Sequence, residues 1–146
     1  MADFKKLTER EIDTFLKSNQ HGILSFAGEK PYALPMGYMY KRKTILLGLA
    51  TAGSMVTAGK KMQYLKKSNN ICFTICTPRW YTEKLKVPCT TLVIEGTLEE
   101  ITNRSYYGLK KIPESAELKL YKIKVAKRGA RKCNRKPCEL LAPKSS

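Results

Sequence analysis

The sequence predicts a mainly β protein: a small antiparallel barrel, closed or half-closed, of six strands with helices at its periphery. Three observations predict it. Strand-like segments follow one another across turns of three residues, which implies an antiparallel meander. Within one of them Tyr32, Leu34, Met36, Tyr38 and Tyr40 recur at a strict period of two, the signature of a half-buried strand. A single helical pattern interrupts the strands, with no internal repeat, which favours a curled sheet over alternating β and α units.

In chain order, residues 7–16 read as a helix. Thr8 with Glu11 three positions on is a capping-box pattern, and Ile12, Phe15 and Leu16 share an apolar face. The run Ser18-Asn19-Gln20 ends it. Residues 21–27 (HGILSFA) form the first predicted strand and Gly28-Glu29-Lys30 a turn. Residues 31–40 (PYALPMGYMY) form the second, with Pro35 and Gly37 marking an edge or a bulge. After the Lys41-Arg42-Lys43 turn comes the third strand, 44–50. A loop of small and hydroxyl residues then leads into a helix over 57–67. Strands follow at 71–77 and within 88–101, the latter interrupted at Gly96. A polar, irregular segment holding Arg79, Trp80 and Tyr81 separates them, and a short, poor helix spans 103–112. The sixth strand is 117–125, where the apolar face changes sides between Leu120 and Tyr121 and predicts a bulge. Residues 1–126 are expected to form the barrel domain and 127–146 a loosely ordered basic tail.

Composition bounds the function classes. A chain of 146 residues with 42% hydrophobic content is long and apolar enough for one folded domain. No apolar run approaches a membrane span, and the N-terminus lacks a signal-peptide core, so a soluble, cytoplasmic protein is expected. The net charge of +16 is spread over short blocks and a dense run from Lys127 to Lys136. Nonspecific attraction to polyanions follows from that charge, and a basic nucleic-acid-binding module is the alternative reading. Five cysteines without a secretion signal read as mainly free thiols, with Cys72 and Cys76 on one strand face as small core residues. The C-x4-C pair Cys133 and Cys138 lacks a second ligand pair, so no metal site is expected; a tail disulfide stays open.

The candidate site is the handover from the third strand to the GKK helix. Small residues and hydroxyls at Thr51, Gly53, Ser54 and Thr57 precede Lys60-Lys61 at a helix start, where free backbone N–H groups, the helix dipole and two ammonium ions would seat a phosphate. Neither a P-loop nor a G-x-G-x-x-G fingerprint is present. There is also no Ser-His-Asp, Cys-His or paired-carboxylate constellation.

The order of HGILSF, KPYALPMGYMY, the 45–50 strand, GKK, LKKSNNICF and TLVIEG resembles the pyridoxamine 5′-phosphate oxidase-like, FMN-binding split-barrel superfamily, in its short form that includes the nitroimidazole-resistance proteins. The resemblance covers about residues 7–125. It implies a split barrel that forms a homodimer with FMN at the subunit interface, acting as a flavin-dependent oxidoreductase on a small molecule. By that correspondence Lys60 and Lys61 bind the phosphate, with Ser54 and Thr57 as hydroxyl donors. Leu49, Ala50 and Thr51 run along the ribityl chain and ring. The backbone at Pro35 and Met36 meets the ring's polar edge, and Thr91 stands where relatives often place Gln or Ser. Tyr38, Trp80 and Tyr81 would wall a substrate pocket. Two departures matter: Gly48 or Leu49 occupies a position where many short members carry His, and the Trp and Arg that recognise a pyridoxine substrate have no counterpart. The same barrel holding F420 or haem is a further alternative.

Overall fold

The computed structural model describes residues 4–50, 58–77, 89–113 and 118–133. The elements are β1 (Phe4–Lys6), α1 (Glu9–Ser18), β2 (His21–Phe26), β3 (Tyr32–Gly37), β4 (Met39–Lys41), β5 (Thr44–Ala50), α2 (Ala58–Lys67), β6 (Asn70–Cys76), β7 (Thr90–Glu100), a 3-10 turn (Arg104–Tyr107) and β8 (Leu118–Cys133). The strands join in the order β3-β2-β6-β7-β8-β5-β4, with β1 added to β8. Every pairing is antiparallel. The two end strands, β3 and β4, are separated in the chain by Tyr38 alone, so the sheet curls until its edges are linked by the backbone itself. This is the mainly β half-barrel the sequence predicts.

There are eight described strands rather than six, for two local reasons. The predicted 31–40 strand divides at Tyr38, whose N–H donates to the Gln20 carbonyl at 2.8 Å and whose hydroxyl donates to the Leu16 carbonyl at 2.7 Å. Those bonds turn the chain from pairing with β2 to pairing with β5. The other extra strand, β1, is only three residues long and pairs with the end of β8. The turn after β4 places Arg42 and Lys43 at φ 48° and 56°, the left-handed pair that a two-residue hairpin requires.

The last strand overturns two expectations. It runs to Cys133, through residues read as loosely ordered tail. Arg128 and Lys132 form ion pairs with Glu9 and Glu11 in the first turn of α1. Ala130 is buried, and its carbonyl accepts from the Leu7 N–H at 3.0 Å. The bulge lies elsewhere as well: the β5–β8 ladder passes Leu120 and Tyr121 without a shift, and the β7–β8 ladder is regular from Tyr121 to Val125. Both residues are buried because opposite faces of β8 are covered there. Tyr121 joins the barrel core, and Leu120 joins a second cluster with Leu46, Ile101 and Leu109. The actual irregularity is opposite Gly96, where a Cβ would stand 2.1 Å from the Lys124 carbonyl oxygen. Only glycine fits that approach.

The main core fills the barrel. Leu24, Leu47, Leu49, Phe73, Ile75 and Leu92 have no exposed surface, and α1 adds Ile12 and Leu16. The capping box forms as the sequence indicates, with Glu11 N–H donating to Thr8 Oγ1 and Thr8 N–H to Glu11 Oε1. Cys72 and Cys76 do share a face of β6, but not the core face. Ile71, Phe73 and Ile75 take the inside, leaving Cys72 half-buried and Cys76 exposed on the outside. Cys133 is a buried thiol, and Cys138 lies outside the described residues. Among the described residues no helix is long and apolar enough to cross a membrane.

Candidate functional site

The site is built at the end of β5 and the start of α2. In β5 the apolar run leaves Leu47 and Leu49 in the barrel core, while Gly48 and Ala50 face outward and are half-buried. Leu49 is fully buried, so only its backbone can reach a ligand. Thr51, Ser54 and Thr57 lie outside the described residues. The helix α2 contacts both β2 and β5 and so sits at the barrel's rim.

The two adjacent lysines have different fates. Neighbouring helix positions project ~100° apart, so they cannot share one direction. Lys60 is exposed, with its ammonium 4.6 Å from the centroid of the Tyr32 ring. Lys61 lies on the same side of α2 as Tyr64 and Leu65, three and four positions on, which pack against the barrel core. It is only 4% exposed. No carboxylate pairs with it and no acceptor bonds it among the described residues. Burial alone pulls its pKa below the ordinary lysine value. A buried ammonium with no counter-charge is costly, by several kcal/mol even after relaxation. An anion at this point would offset that cost.

A second polar group nearby is also unsatisfied. Tyr32 stacks on Phe26 and on Tyr64, at 5.5 and 5.1 Å between centroids, in a triangle of three rings whose third side is 6.1 Å. Its hydroxyl is buried and finds no hydrogen-bond partner among the described residues. Neither feature was anticipated. The sequence shows Tyr32 only as one member of an alternating apolar row, and nothing in GKK tells which lysine turns inward. Beside these rings is a groove of about 540 Å³ lined by Glu29, Lys30, Lys60, Gln63, Tyr64 and Lys67 but not by Lys61. The donor set at the rim therefore suits a phosphorylated ligand.

The remaining predicted residues are distributed over both faces of the sheet. Met36 packs against the core, whereas Pro35 is exposed on the outer face of β3, opposite Ile23. Thr91 is on the outer face of β7, opposite Cys76 and Arg131. Ala50 pairs with Leu118, so Thr91 and Ala50 sit beside opposite ends of β8. Tyr38 is at the pivot, its pKa pushed up to about 12 by burial; Tyr40 rises to about 12 through burial and its bond to Asp13. Trp80 and Tyr81 lie outside the described residues. Among the described residues no group of three His, Cys, Asp or Glu side chains converges as a metal site.

The outer face of β2, β3 and β6 has a property of its own. Pro35, Ile23, Thr74, Val93 and Gly129 stand side by side across five strands. Ile23 and Val93 are 42% and 38% exposed. No Asp, Glu, Lys or Arg occupies this face of β2, β3 or β6, in a chain whose charged fraction is 27%.

Comparison with known proteins places the fold. An FAD-binding protein from Mesorhizobium loti superposes with a TM-score of 0.69 at 14% identity, covering 92% of this chain and 100% of that one. An FAD-binding protein from Mycobacterium smegmatis superposes at 0.63 with 13% identity, covering 88% and 98%. A protein from Bacteroides thetaiotaomicron put forward as a 5-nitroimidazole antibiotic resistance protein also gives 0.63, at 14% identity, covering 91% and 89%. No curated protein matches the sequence. The family model described as pyridoxamine 5′-phosphate oxidase matches residues 8–106, and the chain belongs to that family.

Proposed function

We propose that this chain binds FMN as a homodimer and acts as a flavin-dependent oxidoreductase on a small molecule, with Lys61 holding the flavin phosphate. The observation that carries the proposal is Lys61 itself: a buried ammonium at a helix start, with no partner among the described residues. Much of its side chain is already out of water before a ligand arrives, so a phosphate meets a largely preorganised charge. Lys60, exposed on the Tyr32 ring, can swing to the same phosphate at little cost. The ring would lie along the outward Gly48 and Ala50, where small side chains allow close approach. The flavin supplies the hydride chemistry when bound, and the protein supplies binding, orientation and exclusion of water.

The uncharged outer face supports the homodimer. A contiguous surface without charge, rimmed by Glu95, Lys127 and Arg131, matches the depletion of charge found at interface centres. Thr91 and Ala50, at opposite ends of β8, could border one ligand if the second copy contributes one of them.

Extraction of the purified protein followed by mass measurement tests the cofactor. The proposal expects FMN, and absorption near ~450 nm from the cofactor's own chromophore. Release of haem or a deazaflavin overturns FMN. Replacing Lys60 and Lys61 with Ala should weaken FMN binding more than replacing Lys66 and Lys67; equal losses contradict the assigned seat. Light scattering should show a dimer that Ile23→Asp converts to a monomer, and a monomeric parent protein would refute the shared site.

A further inference from the structure

We propose that the surface around Arg42 and Tyr106 binds single-stranded nucleic acid, a function separate from the flavin site. Residues 39–50 and 101–113 contain six Lys or Arg and no Asp or Glu. The fold brings these two acid-free segments together. Tyr107, Leu109 and Ile112 pack with Met39 and Leu46 in the second apolar cluster, which fastens the loop after β7 to β4 and β5. The Arg42 guanidinium, at the tip of the β4–β5 hairpin, then lies over the Tyr106 ring, 4.5 Å from its centroid. Arg42 is exposed and Tyr106 is 52% exposed, so the pair is open to a ligand.

The platform is held in place by its own hydrogen bonds. Arg104 Nη1 donates to the carbonyls of Ile112 and Pro113 at 2.9 and 3.0 Å, which closes the loop on itself. Asn103 Oδ1 accepts from the Tyr106 N–H at 3.3 Å, and the Tyr106 and Tyr107 rings stand perpendicular, 4.9 Å between centroids. Lys110 and Lys111 belong to this closed loop and Lys41 ends β4; all three are exposed. None of the three has a carboxylate partner among the described residues. Lys43 is not counted, because after Lys17 and Tyr40 it helps to lower the Asp13 pKa.

Guanidinium and aromatic planes are both stacking partners for an unpaired base, and ammonium groups beside them take the adjoining phosphates. A base in a single strand can add to the Arg42–Tyr106 pair. A duplex, whose bases are already paired and stacked, offers this platform only its phosphates. Stacking accepts every base, so no strong sequence preference is expected. The basic blocks and Tyr106 are far apart in the chain, and their combination exists only in the fold.

The test is fluorescence anisotropy of a labelled oligothymidylate of about 12 nucleotides with the full-length protein, over a range of salt. Three phosphate contacts should give log affinity against log salt a slope of about −2 or steeper. Tyr106→Ala should weaken binding at least about fivefold without changing the slope, and Tyr106→Phe should restore it. Lys110→Ala with Lys111→Ala should make the slope shallower by about 1.4. Lys5→Ala with Lys6→Ala, which removes the same charge from β1, should change both quantities little. Should Tyr106→Ala fail to fold, Arg42→Lys decides: it keeps the charge, loses the planar stack and must weaken binding. Equal affinity for a duplex of the same length, parent-like binding by Tyr106→Ala, or equal losses from the β1 lysines would reduce the interaction to bulk charge and overturn the proposal. No binding to the oligothymidylate, or tighter binding to vesicles of anionic lipid, overturns it as well. None of these readouts depends on flavin.

Discussion

Two basic regions look alike in the sequence and behave oppositely in the fold. The run from Lys127 to Lys132 is the denser, yet its inward cations are already engaged: Arg128 with Glu9 and Lys132 with Glu11. The pair at the start of α2 is sparser, yet it holds a cation that is buried and has no counter-charge among the described residues. Charge density therefore says little about ligand binding. What matters is whether the protein itself neutralises the charge, because a desolvated and unpaired ion gains most from an external partner.

Binding separates the two regions most strongly. Lys61→Ala is expected to weaken FMN at least tenfold, about 1.4 kcal/mol or more, in equilibrium dialysis. Arg128→Ala and Lys132→Ala should change it less than twofold. Loss of FMN binding in the β8 variants, with folding intact by circular dichroism, would erase the contrast.

Stability should move in opposite directions. In the ligand-free protein, Lys61→Met removes an unpaired buried charge and keeps the stem, so urea denaturation should show a gain of ~1–2 kcal/mol. Lys132→Met breaks a partly exposed ion pair and should lose only a little stability. A destabilised Lys61→Met would mean that the ammonium already has a partner.

The pH dependence is a smaller effect with definite signs. Between the lowered pKa of Lys61 and the free-lysine value near ~10.4, the unfolded chain binds more protons than the folded one, so ligand-free stability rises with pH through that window. Lys61→Met should remove the rise. Glu11 is shifted down by its bond to Lys132, so its contribution is present above the unfolded value and is lost as pH falls through the lowered one. Glu11→Gln should flatten that acid limb. Above about pH 10 the tyrosines act the other way. Tyr38 and Tyr40, held near about 12, stay protonated in the fold while their unfolded counterparts ionise, and stability falls. Ultraviolet titration should show two phenols ionising last.

Much of the fold was legible because its signals are local. The Thr8–Glu11 capping box, the alternation from Tyr32 to Tyr40 and the Arg42-Lys43 turn all appear where the sequence indicates, whereas β7 runs unbroken through Gly96 and the extra residue lies opposite it in β8. What could not be read depends on partners far away in the chain. The order of residues 127–133 comes from acids in α1 more than a hundred positions earlier. Burial on both faces at Leu120 and Tyr121 imitates a bulge in a one-dimensional pattern. Cys72 and Cys76 were read as core because two faces of a strand cannot be ranked without knowing which one is covered. At the proposed phosphate seat, the order of motifs pointed to the GKK corner, but the choice between Lys60 and Lys61 is a matter of helix phase. That phase is set by how Tyr64 and Leu65 pack against the barrel.

The most direct measurement compares FMN with riboflavin, which lacks the phosphate, in the parent protein and in Lys61→Ala. If the Lys61 ammonium holds the phosphate, the parent should prefer FMN by at least tenfold and the variant should lose most of that preference, riboflavin affinity being little changed. An FMN-to-riboflavin ratio that is the same in both proteins would contradict the account.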